Sequence, residues 1–139
     1  MSRIKQLSIF VENKKGELTD VTTLLSKNNI SIKSINLVDS EDFGILKLIV
    51  DDEKKAKEIL DEAGFSLKIT DVFAVAIDDH VGSFNDVVSA LFQNDINIEY
   101  TYTVSNAQNG AFIFKVDIND FQKALQVLSK ADVELLEKI

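Results

Sequence analysis

The chain contains the same stretch of sequence twice, and this internal repeat limits its fold more than any other feature. Residues 9–32 read IFVENKKGELTDVTTLLSKNNISI, and residues 75–98 read VAIDDHVGSFNDVVSALFQNDINI, with no gap in their alignment. Gly16 therefore corresponds to Gly82, and Asp20 corresponds to Asp86. A duplicated supersecondary unit predicts a pseudo-symmetric pair of modules, and a seam between modules is a common place for a ligand.

Hydrophobic periodicity predicts the same order of strands and helices in each copy. Leu18, Val21 and Leu25 recur at helical spacing between runs that alternate as strands do, and the second copy repeats this pattern. With right-handed crossovers, a β-α-β-β-α-β order forms a ferredoxin-like unit, which is a four-stranded antiparallel sheet with two helices on one face. The predicted class is α+β, with one such domain at residues 1–71 and a second at residues 72–139.

Three details of the predicted strands refine this picture. The alternation slips at Lys33-Ser34, which indicates a β-bulge, whereas the run from Ile96 to Val104 alternates without a slip. The strands at 44–50, 72–77 and 110–116 are apolar on both faces, and such strands are usually buried on both faces. Helices can cover only one face, so either the other copy or another chain must cover the second. We favour a homodimer with sheets packed face to face.

Composition excludes several classes of function. The chain has 139 residues, a net charge of −8, a pI of about 4.6 and no cysteine. The acidity argues against a nucleic-acid partner, and the lack of cysteine excludes disulfides and thiolate chemistry. No apolar run is long enough for a membrane span or resembles a signal peptide. We therefore expect a cytoplasmic protein that binds neither nucleic acid nor membranes.

The sequence offers little for catalysis, and we expect no enzymatic activity and no cofactor. His80 is the only histidine, and no nucleophile stands at a spacing that it could activate. No metal-ligand spacing or phosphate-binding glycine loop is present. Arg3 is the only arginine and precedes the first strand, which excludes acylphosphatase-like catalysis. Phe112 and Phe114 superficially resemble the stacking aromatics of an RNA-binding sheet, but the net charge argues against that function.

The most informative candidate site is the turn from the first strand to the first helix of each copy. A glycine opens each helix, Gly16 and Gly82, and glycine lets the backbone approach a ligand closely. The first amides of a helix lack internal partners and carry partial positive charge, so a carboxylate fits there. Asn13 in one copy, and Asp78 or Asp79 in the other, can meet an ammonium group. A tight turn that binds nothing explains the glycines equally well.

The paired motifs resemble those of tandem ACT-domain proteins over residues 4–139. The residues that carry the resemblance are Glu12-Asn13-x-x-Gly16-x-Leu18-x-x-Val21 and Asn28-x-Ile30-x-Ile32, with counterparts Asp78-Asp79-x-x-Gly82-x-Phe84-x-x-Val87 and Asn94-x-Ile96-x-Ile98. The resemblance implies a regulatory module for small molecules, most often amino acids. It also implies pairing of domains, edge to edge through their second strands, into an eight-stranded sheet.

The resemblance further implies that ligands lie between the first turn of one domain and the second strand of its neighbour. In the first copy this site comprises Asn13, Lys15, Gly16, Glu17 and Leu18, with Asn36 on a strand that also carries Ser34, Ile35 and Leu37. In the second copy it comprises Asp79, His80, Val81, Gly82, Ser83 and Phe84, with Tyr100, Thr101 and Tyr102 on the strand. Lys15 and Val81 stand where the family usually has proline. The first copy keeps the asparagine, so its turn ranks first.

The sequence thus predicts a free-standing sensor that binds an amino acid and forms a homodimer. Nearly all of the chain is taken up by the two copies, which leaves no residues for a catalytic domain. The alternative is a protein–protein assembly adaptor whose ACT-type sites stay empty.

Overall fold

The computed structural model describes residues 3–12, 14–39, 42–105 and 110–139. They form two compact units. The N-terminal unit is Lys5–Thr70, and the C-terminal unit is Asp71–Ile139 together with Arg3 and Ile4.

The N-terminal unit has four strands and two helices in the order that the periodicity predicts. Its elements are β1 (Ile4–Glu12), α1 (Glu17–Lys27), β2 (Ile32–Asp39), β3 (Phe43–Val50), α2 (Glu53–Glu62) and the first half of β4 (Ser66–Ala76). The strand order is β2-β3-β1-β4, and β3 is antiparallel to both β1 and β2. This is the predicted ferredoxin-like arrangement, in which the last strand lies beside the first.

The C-terminal unit repeats this arrangement. It contains the second half of β4, followed by α3 (Ser83–Gln93), β5 (Ile98–Val104), β6 (Ala111–Val116), α4 (Phe121–Lys130) and the short β7 (Leu135–Leu136). The strand order is β7-β4-β6-β5, with antiparallel pairs throughout. The prediction of a tandem α+β fold is therefore confirmed.

The strands differ from the sequence-based expectation in number and length. The last strand of the first copy and the first strand of the second copy are one continuous element, β4. The described residues therefore form seven strands instead of eight, and the predicted boundary between residues 71 and 72 falls inside β4. The final strand, expected over Val133–Ile139, is only Leu135–Leu136. Pairing of domains through their second strands stays a prediction. In this chain β2 and β5 are each the outermost strand of their unit.

Both second strands carry a bulge. The register of β2 on β3 shifts between Ile32 and Ser34, which confirms the slip seen at Lys33-Ser34. The register of β5 on β6 also shifts, between Ile98 and Tyr100. The expectation that this strand has no irregularity was wrong, because its apolar alternation continues through the extra residue and hides it. A bulge increases the local twist of an edge strand.

Each unit has its own hydrophobic core between its helices and one face of its sheet. In the C-terminal unit Phe73 stacks on Phe114 at 5.5 Å between ring centroids and meets Phe121 edge-on at 5.7 Å. The opposite face is buried as well: Ile49 in the N-terminal unit and Ile113 in the C-terminal unit are 4% and 0% exposed. This confirms that the central strands are buried on both faces.

Candidate ligand-binding site

The two strand-to-helix turns have nearly the same backbone. Gly16 and Gly82 precede α1 and α3 with φ of 93° and 91°, in the left-handed region that favours glycine. The Asp20 and Asp86 amides each donate to the carbonyl of their glycine at 2.9 Å. Among the described residues, no side chain caps the N-terminus of either helix. The first helical amides, those of Glu17 and Ser83, donate to the Lys14 and His80 carbonyls at 3.4 Å and 3.2 Å. The next amides of each helix lack a side-chain cap and are donors for solvent or a ligand.

Side chains of the N-terminal turn form contacts within the turn itself. The Lys14 Nζ lies 3.0 Å from the Glu12 Oε2, and the hydrogen bond to Glu12 raises the pKa of the lysine. The Glu17 carboxylate accepts a long hydrogen bond of 3.5 Å from the Glu12 amide. Lys15, Gly16 and Leu18 are exposed, Glu17 is half-buried, and Asn13 lies outside the described residues.

The C-terminal turn is organised around His80, which lies between two carboxylates. Its Nδ1 is 3.1 Å from the Asp78 Oδ2, at the end of β4, and its Nε2 is 3.0 Å from the Asp86 Oδ2, in the first turn of α3. The hydrogen bond to Asp86 is the main cause that raises the pKa of the imidazole. The histidine therefore joins the strand end to the helix that follows it.

A cleft of about 570 Å³ opens beside this turn, within the C-terminal unit. We call it the C-terminal cleft. Its charged and polar lining consists of Asp78, His80, Ser83, Asp86, Asp132 and Glu134. The rest of the lining is apolar or glycine and consists of Val75, Ala76, Ile77, Val87, Gly110, Phe112, Ala131, Val133 and Leu136. Four carboxylates and one imidazole make this lining strongly negative.

The cleft collects some of the residues predicted from the sequence and omits others. His80 and Ser83 line it, whereas Asp79, Val81, Gly82 and Phe84 do not. Val81 is fully exposed. The Phe84 ring packs against Phe112 and Phe114, with centroids 4.9 Å and 5.9 Å away, at the edge of the aromatic core, and the residue stays 38% exposed.

The predicted residues on the second strands lie away from the C-terminal cleft. Tyr102 pairs with Ile113, on the face opposite the helices, and its ring stacks on Tyr100 at 6.4 Å. Both tyrosines are half-buried, and neither lines the cleft. In the N-terminal unit, Asn36 lies on the corresponding strand, β2, and pairs with Lys47 on β3. A site that includes these strands would need a second chain, and it stays a prediction.

Sequence reasoning missed three acidic residues of the lining. Asp86 was visible as a repeated position, since it aligns with Asp20, but nothing in the sequence placed it against His80. Asp132 and Glu134 follow α4, about fifty residues from the turn, and only the return of the chain beside β4 brings them to the cleft.

The described residues contain no cluster of histidine and carboxylate side chains that could hold a metal ion. None of the helices among these residues is long and apolar enough to span a membrane. The candidate site is a cleft lined by four carboxylates, beside a helix N-terminus that no described side chain caps.

The fold and the paired turns define a tandem ACT module, and the chain belongs to the ACT domain pair family, whose model matches residues 2–138. The chain is 37% identical to protein BT0572 from Bacteroides thetaiotaomicron, with a TM-score of 0.87 over 97% of this chain and 92% of that one. No match was found among curated proteins.

More distant solved structures share the fold. The ligand-free regulatory subunit of aspartate kinase from Thermus thermophilus is 14% identical, with a TM-score of 0.62 over 94% of this chain and 93% of that one. E. coli aspartokinase III in complex with aspartate and ADP is 20% identical, with a TM-score of 0.60 over 93% of this chain and 32% of that one.

Proposed function

We propose that this protein is a regulatory module that binds a free amino acid and carries no catalytic activity of its own. The observation that supports this most directly is the C-terminal cleft, where an uncapped helix start and several carboxylates lie side by side. Membership of the ACT domain pair family, and the fold shared with regulatory subunits of aspartate kinase, point the same way.

The two ends of an amino acid have complementary groups in the cleft. A ligand carboxylate fits beside Ser83 at the first turn of α3, where the helix dipole favours negative charge. A ligand ammonium fits against Asp78 and Asp86, which line the same cleft. The volume of about 570 Å³ lies within the range of roughly 300–1,000 Å³ that is usual for small-molecule sites. The negative lining favours the ammonium end and disfavours purely anionic ligands.

The N-terminal turn is proposed as a second site, built from Asn13, Lys15, Gly16, Glu17 and Leu18. The sequence ranks it first, and that ranking stays a prediction. Asn36, Tyr100 and Tyr102 complete either site only if a second chain pairs along β2 or β5. A cytoplasmic homodimer is part of the same proposal.

The assembly adaptor stays the second candidate, and exposed apolar side chains favour it. The N-terminal unit exposes Phe10, Ile35, Leu37, Val38 and Phe43 by 46–57%. Phe10, Val38 and Phe43 share the sheet face opposite the helices, and large exposed apolar groups on one face are typical of interaction surfaces. An adaptor would use this surface while both turns stay empty.

Thermal-shift measurements with each of the twenty amino acids test the proposal. A ligand present at about 100 times its Kd adds about 2.7 kcal/mol to the free energy of unfolding. We expect at least one amino acid to raise the melting temperature, and no shift with any of them would favour the adaptor.

Two variants then assign the site, and a third is the control. Gly82→Val should reduce the shift if the C-terminal cleft binds the ligand, and Gly16→Val should do so if the N-terminal turn binds it. Gly64→Val is the matched control, because Gly64 also has a left-handed φ of 90° and open space around it but lies after α2. A reduction by Gly64→Val equal to the others would mean that the effect is global strain.

A further inference from the structure

His80 makes two hydrogen bonds that a neutral imidazole cannot make together. Its ring nitrogens lie 3.1 Å from an Asp78 oxygen and 3.0 Å from an Asp86 oxygen. An ionised carboxylate only accepts hydrogen bonds, and a neutral imidazole donates from one nitrogen only. Both contacts are therefore satisfied at once only by the imidazolium form.

We propose that His80 is a proton-operated latch at the mouth of the C-terminal cleft. In the imidazolium form it donates one hydrogen bond to Asp78, just after β4, and one to Asp86, in the first turn of α3. In the neutral form it keeps one of these hydrogen bonds and loses the other, which frees that carboxylate. All three side chains line the cleft, so the latch changes the groups that the cleft presents.

The charges around His80 all favour its protonated form. Asp78 and Asp86 contact the ring directly, Asp79 is its neighbour in the turn, and Asp132 and Glu134 line the far side of the cleft after α4. No lysine or arginine lines the cleft in the described part of the chain. The hydrogen bond to Asp86 and the charges of both aspartates raise the pKa of His80, although its desolvation opposes this.

The sign of the pH effect follows from that direction. Because the pKa is raised in the folded protein, the latch is fully closed below the ordinary pKa of histidine, and it opens as the pH rises through the raised value. All three side chains are half or more exposed to solvent. Exposed ion pairs contribute little to global stability, so the effect is expected in the turn and not in the melting temperature.

The consequence for ligand access rests on the function proposed above. A ligand ammonium at Asp78 and Asp86 competes with the imidazolium for the same two carboxylates. Opening of the latch frees one carboxylate and removes a repelling positive charge. Binding of an amino acid in this cleft should therefore strengthen as the pH rises through the pKa of His80.

The internal repeat supplies a natural counterpart without the switch. Lys14 occupies the position of His80, Glu12 that of Asp78, and Asp20 that of Asp86. Lys14 also bonds the acidic residue at the strand end, at 3.0 Å from Glu12. The pKa of Lys14 is raised from an already high value, so this lysine keeps its charge throughout the physiological range. Only the C-terminal turn can respond to a proton near neutral pH.

The latch can be tested on the ligand-free protein by NMR. The chain has one histidine, so the imidazole C–H signal belongs to His80 without assignment. Its titration midpoint should lie above that of an ordinary histidine and should fall in Asp86→Asn. Asp20→Asn is the matched control, because it makes the same change at the same position of α1, and it should leave the midpoint unchanged.

A second readout separates a latch from a simple ion pair. The backbone heteronuclear NOE of residues 79–82 should decrease as the pH passes the midpoint, while that of residues 14–16 stays constant. In Asp86→Ala, which removes the partner of Nε2 altogether, the NOE of residues 79–82 should be low at every pH. A midpoint unaffected by Asp86→Asn, or an NOE of this turn that does not change across the midpoint, would overturn the proposal. Because no ligand is used, failure here leaves the proposed function untouched, and the reverse also holds.

Discussion

At the scale of single residues, four glycines adopt the left-handed conformation for different structural purposes. Gly16, Gly64 and Gly82 have a φ near 90° and no atom within 4 Å of the place where a Cβ would stand. Gly110 has the same φ, but its Cβ would lie 2.8 Å from the Val104 carbonyl oxygen and 3.2 Å from the Ile77 Cδ1. The first three need glycine for the backbone alone, whereas Gly110 also needs it for close packing.

This difference predicts unequal costs for the same substitution. Gly82→Ala should lower the free energy of unfolding by about 1–2 kcal/mol, which is the usual cost of an L-residue in the left-handed helical region. Gly110→Ala should cost distinctly more, because backbone as well as side-chain atoms must move. Urea denaturation measures both values, with Gly64→Ala as the control that should match Gly82→Ala. Equal costs at Gly82 and Gly110 would contradict the packing argument.

At the scale of elements, the helices begin in two different ways. The Asp52 carboxylate accepts a hydrogen bond of 3.1 Å from the Lys55 amide and so caps α2. Gly16 and Gly82 begin α1 and α3 without a side-chain cap. A capped helix start satisfies its own amides and presents fewer donors to a ligand. The start of α4 also lacks a side-chain cap, but only the glycine starts of α1 and α3 lie at the candidate sites.

Removal of the cap at α2 should destabilise the fold without affecting either candidate site. We expect Asp52→Ala to lower the free energy of unfolding by about 1 kcal/mol, since an N-cap hydrogen bond is lost. Asp52→Asn keeps the acceptor oxygen and should lose less. The measurement is urea denaturation, and a loss as large in Asp52→Asn as in Asp52→Ala would show that the charge, and not the hydrogen bond, stabilises this helix.

At the scale of the whole molecule, the two units share one topology but differ in surface chemistry. Residues 1–72 carry 11 basic and 13 acidic side chains, and residues 73–139 carry 4 and 10, so the net charges are −2 and −6. The exposed apolar side chains of β1, β2 and β3 belong to the N-terminal unit. Ile35 and Leu37 pair with buried Leu48 and Leu46, yet they are about half exposed because β2 is an edge strand.

The exposed edge strand leads to a prediction about assembly. If β2 pairs with another chain, the protein should sediment as a dimer, and Leu37→Lys should shift it to the monomer, since a charge would replace an apolar contact at the edge. Phe92→Lys is the control, because Phe92 is 81% exposed on α3 and belongs to the other unit. A monomeric wild type, or equal dissociation by both variants, would contradict dimerisation through β2.

Much of this architecture follows from the amino-acid pattern alone. The repeat fixes the number of modules, and the alternation between helical and strand periods fixes the order of elements. It also indicates the bulge at Lys33-Ser34. The bulge before Tyr100 was hidden because the apolar alternation continues through it. Two strands were expected around the polar residue Asp71, but a polar residue does not interrupt an extended backbone, and the two form the single strand β4.

Part of the candidate site also follows from the local sequence, and part depends on the tertiary structure. Local sequence determined that a glycine turn begins α1 and α3 and that His80 lies in the second of these turns, since turn chemistry depends on residues close together in the chain. Only the tertiary structure decided that His80 lies between Asp78 and Asp86, and that Asp132 and Glu134 form the far side of the cleft. Asp132 and Glu134 reach the cleft only because the chain after α4 returns beside β4. No local sequence pattern specifies where that return lies.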